Sequence, residues 1–294
     1  MISIEDRLNY YINNTKCIEK PPCVLHGYDE PIEIDVATYG EKYQSIHPRT
    51  EYPIDVSRYC SFSTKPHLWF QCGDSAYTGP EWPVMVKTRD THNEKAGGII
   101  GNFESIRHWG LAFRIEDMQW EYKVPHIIWR GADTGYPHRL EFVKKFNDQY
   151  DVGFSQYVQD GRLRPNEYPD KYISGMTPVE NMLKYKFLPV IDGNDKSSAL
   201  GWVLASGSVP IMPKPRHNSW LCEPWLKSGV HYVGVKRDWS DLPQKIEFLR
   251  KNDDFARQIA NNGKEFMEQF RDKSREGVIE EKIVQYINGI QGTA

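Results

Sequence analysis

Between Val124 and Phe154 the chain reads as an apolar strand, a glycine-bearing loop, an amphipathic helix and a second strand, an order that few folds accept. The first strand is His126-Ile127-Ile128-Trp129, the loop runs from Arg130 to Gly135, the helix covers Arg139 to Phe146, and Tyr150 to Phe154 supplies the next strand. Strand, loop, helix and strand in succession is the building unit of α/β folds, and it puts a lobe boundary near Tyr122. A helix and strand over 179–191 then lead into a second loop, Asp192 to Ser198, and a helix candidate from Ala199 to Ser206. Gly207-Ser208 turns the chain into the short strand Val209 to Met212. Leu242 to Phe270 reads as helices, with Ile246, Leu249, Phe255, Ile259 and Phe266 at helical spacing.

The earlier part is less regular. Ser3 to Ile12 reads as an outlying helix, and 27–80 reads as loop-rich with a β-prone run at His67 to Gln71. Trp82 to Thr88 reads as a buried strand that ends in the polar run Arg89-Asp90-Thr91-His92-Asn93. In open α/β sheets, ligands gather where strands end. A chain of 294 residues suits two compact α/β lobes with a crevice between them. The expected division is 1–122, 123–270 and a carboxyl-terminal helix, 271–294, packing back toward the first lobe.

Composition removes several classes of function. Apolar residues make up 39% and charged residues 26%, enough burial to offset chain entropy, so the chain folds. A net charge of -3 with the two signs interspersed gives no basic field for a nucleic-acid backbone. No apolar stretch approaches the length of a membrane span, and MISIEDRLNYYINN lacks the basic and apolar runs of a leader, which predicts a cytoplasmic protein. Cys17, Cys23, Cys60, Cys72 and Cys222 lack the paired spacing of a zinc site and read as free thiols. Nine Trp and 17 Tyr offer faces on which sugar rings stack, although aromatics serve cores more often.

Each of the two strand-loop-helix junctions after Val124 carries small, hydroxyl or basic residues, which is what holding a pyrophosphate requires: amides at a helix start face the anion and small residues let it approach. Neither loop has a full dinucleotide or phosphate-loop fingerprint, so an ordinary turn is the plain alternative.

A resemblance sharpens this reading. Tyr185-Lys186-Phe187-Leu188-Pro189-Val190-Ile191-Asp192-Gly193-Asn194 and Ala205-Ser206-Gly207-Ser208-Val209 resemble the core block of glycosyltransferase family 90, which includes protein O-glucosyltransferases and capsule-associated xylosyltransferases. The likeness continues through Gly229 to Val235, Asp238 to Leu242 and Lys251 to Phe266, and upstream through Ile128-Trp129-Arg130-Gly131. It implies a GT-B fold of two Rossmann-like lobes, a UDP-sugar as co-substrate with no other cofactor and no metal, inversion at the anomeric carbon, and a glycan or protein hydroxyl as acceptor. By position it makes Arg130 the diphosphate-binding arginine, with Gly131, Thr134, Gly193, Asn194, Ser197 and Ser198 shaping the donor loops. Asp90, in Val86-Lys87-Thr88-Arg89-Asp90, matches the family's catalytic carboxylate, a general base for the acceptor hydroxyl. Its plain alternative is a helix cap or a pair with Arg89, and His92 is the substitute base. Glu223 falls where many GT-B enzymes carry a ribose-binding carboxylate, and Trp220 and Trp225 are stacking candidates beside it.

One departure stands out: where the family commonly has an aromatic-Arg pair in the second loop, this chain has Ser197-Ser198-Ala199. Lys196, Lys214 and Arg216 are the candidate substitutes. The absence of a leader and the short amino-terminal part point toward a glycan acceptor and toward xylose, as in a virus-encoded xylosyltransferase, with glucose the other donor sugar. Two further readings remain: a metal-dependent GT-A enzyme using Asp192 and Asp195, and a non-catalytic glycan- or nucleotide-binding module of the same fold.

Overall fold

The computed structural model describes residues 1–13, 32–36, 51–79, 82–90 and 97–291. The expected sites at Cys17, Cys23 and His92 lie outside them. In chain order the elements are α1 (Ile4–Ile12), β1 (Ile32–Asp35), α2 (Tyr52–Cys60), β2 (His67–Gln71), β3 (Val84–Val86), β4 (Arg89–Asp90), β5 (Ile99–Ile100), β6 (Val124–Ala132), α3 (His138–Phe146), β7 (Asp151–Gln156), β8 (Tyr185–Pro189), α4 (Ala199–Ala205), β9 (Val209–Met212), β10 (His217–Asn218), β11 (Val233–Gly234), α5 (Leu242–Lys251), α6 (Asp253–Glu268) and α7 (Lys273–Gln291).

The chain forms two units. Unit one comprises Met1–Gly110, Arg216–Pro224 and Gln269–Ala294; unit two comprises Leu111–Pro215 and Trp225–Glu268. The first crossing thus falls before the boundary read near Tyr122, and Arg216–Pro224 leaves the span assigned to the second lobe to join unit one.

Unit two is built on a parallel sheet in the order β11-β9-β8-β6-β7. Such a sheet needs apolar cover on its faces. Leu140, Phe142, Val143 and Phe146 of α3 supply part of it, with Phe142 edge-on to Trp129 at 5.8 Å and to Trp239 at 4.7 Å between ring centroids. The buried side of α6 is Ala256, Ile259, Ala260, Gly263 and Met267, a helical stripe, whereas Phe255, read as part of that stripe, is exposed. Gly263 lets α6 lie close to α4: a Cβ there would meet Leu204 Cδ2 at 3.2 Å.

Unit one holds a sheet in the order β1-β2-β3-β5, with β1 antiparallel and the others parallel. The amino-terminal helix is no outlier. Ser3 caps α1 by accepting from the Asp6 amide at 3.0 Å, and Arg7, fully buried, donates to both Glu276 carboxylate oxygens at 2.6 Å. The same guanidinium lies 4.6 Å over the Phe270 ring. A buried ion pair of this kind costs about 3–5 kcal/mol to break from one side, because the survivor is left charged and dry. Further along α7, Glu280 accepts from Arg58 Nε at 2.8 Å and from the Tyr59 hydroxyl at 3.3 Å. Cys60, Cys72 and Cys222 are buried thiols outside any disulfide. Among the described residues no helix is long and apolar enough to cross a membrane.

Burial outweighs Arg58 at Glu280 and pushes its carboxyl from an ordinary 4.5 to about 7. Between those values only the folded state holds the proton, so stability present at lower pH is lost as pH rises through the window. Denaturant unfolding at a series of pH values is expected to show the midpoint falling from pH 4.5 to about 7. Glu280→Gln, which keeps the amide-sized side chain and removes the titration, is expected to lose that component of the slope.

Candidate functional site

Two loops leave the same edge of the unit-two sheet, one after β6 and one after β8, because these strands are parallel neighbours with Ile127 opposite Phe187. Their backbones touch. Gly135 has φ +77°, and a Cβ on it would lie 2.5 Å from the Gly193 carbonyl oxygen, so this crossing requires glycine. Asn194 fastens it, its Oδ1 accepting from the Gly135 amide at 3.0 Å and its Nδ2 donating to Gln159 Oε1 at 3.1 Å.

Arg139, in the first turn of α3, clasps both loops from beneath. Its Nη1 donates to the Ala132 carbonyl at 3.0 Å and to Thr134 Oγ1 at 2.8 Å in the first loop. Its Nε donates to the Asp192 carbonyl at 3.1 Å and its Nη2 to the Ile191 carbonyl at 3.0 Å in the second. Only a rigid fork of donors serves four acceptors at once. Asp133, fully buried, accepts from the amides of Val158 at 2.6 Å and Gln159 at 3.1 Å, which fixes the adjoining segment. In the second loop Asp192 Oδ1 accepts from the Ser197 amide at 3.2 Å, and Ser197 Oγ from the Ala199 amide at 3.3 Å. Ser198 stands at the start of α4 without capping it. Thr134, Gly193, Asn194, Ser197 and Ser198 are thus brought to one junction: hydroxyl and amide groups over a fixed positive charge, a combination that suits an anionic ligand. Gly131 lies just before it, packed under Trp129, whose ring would meet a Cβ at 2.7 Å.

Arg130 is not brought to that junction. Its Nη1 donates to the carbonyls of Trp129 and Asp151, both at 2.9 Å, and its Nη2 pairs with the Asp151 carboxylate. Asp151 opens β7 in register with Ile128, so the guanidinium is drawn back along the strand, away from the loop. The arginine that does reach both loops is Arg139. The signal was present: a basic side chain in the first turn of a helix opposes the helix dipole and calls for a dedicated partner.

Glu223 opens the short 3-10 turn Glu223–Trp225. It lies in unit one, buried, with its carboxylate accepting from the Ser219 amide at 2.7 Å, the Ser219 hydroxyl at 2.5 Å and the Tyr10 hydroxyl at 3.4 Å. Those bonds hold the 219–223 turn together. Trp220 is buried edge-on against Phe270 at 5.4 Å, a core contact.

Asp90 lies in unit one as the second residue of β4, half-buried, and pairs in register with His217 of β10. Arg89 beside it turns its guanidinium to the carbonyls of Tyr11 and Gly98, both at 3.0 Å, and of Tyr10 at 2.5 Å. Burial without a carboxylate partner pulls that guanidinium down to about 10. Among the described residues no group of three His, Cys, Asp or Glu side chains could hold a metal ion.

Residues 99–276 match the family described as Glycosyl transferase family 90. The chain is similar to an O-glucosyltransferase LpsA of Dichelobacter nodosus, 31% identical over 202 residues that cover 68% of this chain and 60% of the relative. It is also similar to the uncharacterized protein 179R of Invertebrate iridescent virus 6, 28% identical over 55% of this chain and 16% of that one. Protein O-glucosyltransferase 2 of Danio rerio is 30% identical over 50% of this chain and 29% of its own length. The chain therefore spans less than two thirds of each relative.

Arg139→Met removes the clasp and leaves several loop carbonyls without a donor. It is expected to lower stability by about 2–4 kcal/mol in urea unfolding. Arg139→Lys is expected to recover less than half of this, since an ammonium cannot reach both loops.

Proposed function

We propose, because the chain belongs to glycosyl transferase family 90, that it transfers a sugar from a UDP-sugar to a hydroxyl of a glycan or protein, with inversion and without a metal ion. The observation that carries this reading is the glycine-to-glycine crossing over Arg139 at the carboxyl edge of a parallel sheet, since a pyrophosphate needs close backbone approach, amide and hydroxyl donors, and compensating charge. Gly131, Thr134, Gly193, Asn194, Ser197 and Ser198 form the donor loops. Arg139 supplies the fixed charge beneath them, and it stands in for the arginine absent at Ser197-Ser198-Ala199. The mixed α/β architecture with parallel sheets suits the two Rossmann-like lobes of a GT-B enzyme. The names of the bacterial and fish relatives favour glucose over xylose as the transferred sugar.

In the proposed reaction Asp90 takes the acceptor proton as the acceptor oxygen attacks the anomeric carbon. The bond from that carbon to the phosphate oxygen breaks on the opposite face, and its electron pair leaves with UDP. Asp90 suits this part because it is half-buried at a strand end, with Arg89 engaged by backbone carbonyls.

Two measurements test the proposal. Calorimetry in the presence of a chelator is expected to show UDP binding; binding and turnover that vanish there and return with manganese would favour the GT-A reading. Asp90→Asn is expected to keep donor affinity and to slow transfer by roughly two to four orders of magnitude. NMR of the wild-type product is expected to show the β anomer from an α-linked donor, and near-normal turnover in the variant or a retained configuration would overturn the single-base mechanism.

A further inference from the structure

The amino edge of the unit-two sheet carries a depression that the reaction above does not use. Its volume is about 380 Å³, at the small end of the range of about 300–1,000 Å³ that ligand pockets occupy. Three neighbouring parallel strands begin there, and His126 of β6, Asp151 of β7 and Tyr185 of β8 line it together with Asp148, Gln149 and Tyr150 from the α3–β7 connection. Since β6 is nine residues long, about 26 Å separates this edge from the donor loops at the other. The pairing of β6 with β8 is irregular at this point: Val124 faces Tyr185 and Ile127 faces Phe187, three steps on one strand against two on the other. Bulges re-aim side chains and gather beside sites, and here the extra residue lies in the pair Pro125-His126.

The aromatic part of the lining is fixed in place. Tyr150 stands edge-on to His126 at 5.9 Å and is backed by Phe146, also at 5.9 Å between centroids, so its half-buried ring is held before any ligand arrives. The Tyr185 hydroxyl donates to Asp151 Oδ2 at 3.4 Å. The polar part is open: Asp148 and Gln149 are exposed, and their side chains hold no hydrogen bond among the described residues. Charge is balanced. Asp151 pairs with Arg130, and Arg250, whose Nε donates to the Pro125 carbonyl at 2.8 Å, adds to burial in holding His126 below its ordinary titration range. Two carboxylates are thus set against two guanidiniums around a neutral imidazole, which favours neither an anion nor a cation. A saccharide fits what remains, because its C–H faces pack on tyrosine rings, its adjacent hydroxyls donate to one carboxylate, and a carboxamide serves it as both donor and acceptor.

We propose that this depression binds a neutral saccharide, with a sugar ring against Tyr150 and its hydroxyls on Asp148 and Gln149, apart from the donor junction. The proposal is independent of the roles given to Asp90 and the donor loops, and binding rather than transfer reads it out. Nitrogen-proton NMR of the full chain, titrated with cellobiose and with xylobiose in the presence and absence of UDP, tests it. Amide shifts are expected at His126, Asp148 to Asp151 and Tyr185, saturating with a Kd of the order of 1–10 mM and unaffected by UDP. The double variant Asp148→Ala, Gln149→Ala, which alters only exposed side chains, is expected to weaken binding at least about tenfold. No shift at these residues with about 50 mM of either sugar, shifts confined to the donor loops, or full affinity in the double variant would overturn the proposal. The same shifts produced by calcium chloride in place of sugar would identify an ion site and overturn it as well. Failure of UDP to bind would count against the proposed donor and leave the sugar titration to decide this site by itself.

Discussion

The carboxyl edge of the unit-two sheet depends on two backbones passing where no side chain fits. Gly135 and Gly193 meet closely enough that a Cβ on the former would strike the carbonyl of the latter, and this approach lets one arginine reach carbonyls on both sides. The rest of the junction follows from it. Asn194 can cross from the second loop to the first, and Thr134 can lie beside Gly193.

Unit one solves a different problem. Its described strands are short, and buried or part-buried cations in it pair with carboxylates remote in sequence: Arg7 with Glu276, Arg58 with Glu280, and Lys87 with Glu104. Lys87 is almost wholly buried and also pairs with Asp74, with Arg107 adding a second cation to Glu104. Arg89 belongs to the same economy with carbonyls in place of carboxylates, and it is through Arg89 that α1 is fastened beside Asp90.

What could be read from sequence follows from periodicity and local chemistry. The β6-loop-α3-β7 unit was legible because an apolar run, a glycine and an amphipathic stretch each carry their own signature, and the loop residues Thr134, Gly193 and Asn194 came with it. The partners of side chains were not legible. Nothing local says that the Arg130 guanidinium turns back to Asp151, that Arg139 spans two loops, or that Glu223 closes on Ser219, since each depends on which strands become neighbours. The helix α2 was missed because Tyr52 to Cys60 begins with a tyrosine-proline pair and contains Ile54 and Val56, and β-branched residues and proline weigh against helix until tertiary burial overrides them. Phe255 was misassigned for the converse reason: helical spacing names a stripe, and the small residues Ala256, Ala260 and Gly263 took the tightly packed side in its place.

Unit one is assembled from three separated stretches, and the last of them follows the final stretch of unit two in the chain. A ribosome delivering the chain from its amino end therefore releases every residue of unit two while Arg7 and Arg58 still await Glu276 and Glu280. The half of the protein that is begun first is finished last. During that interval Arg7 must stay hydrated and α1 cannot dock, so the nascent chain carries a completed parallel sheet alongside an amino-terminal region whose folding is deferred until α7 emerges.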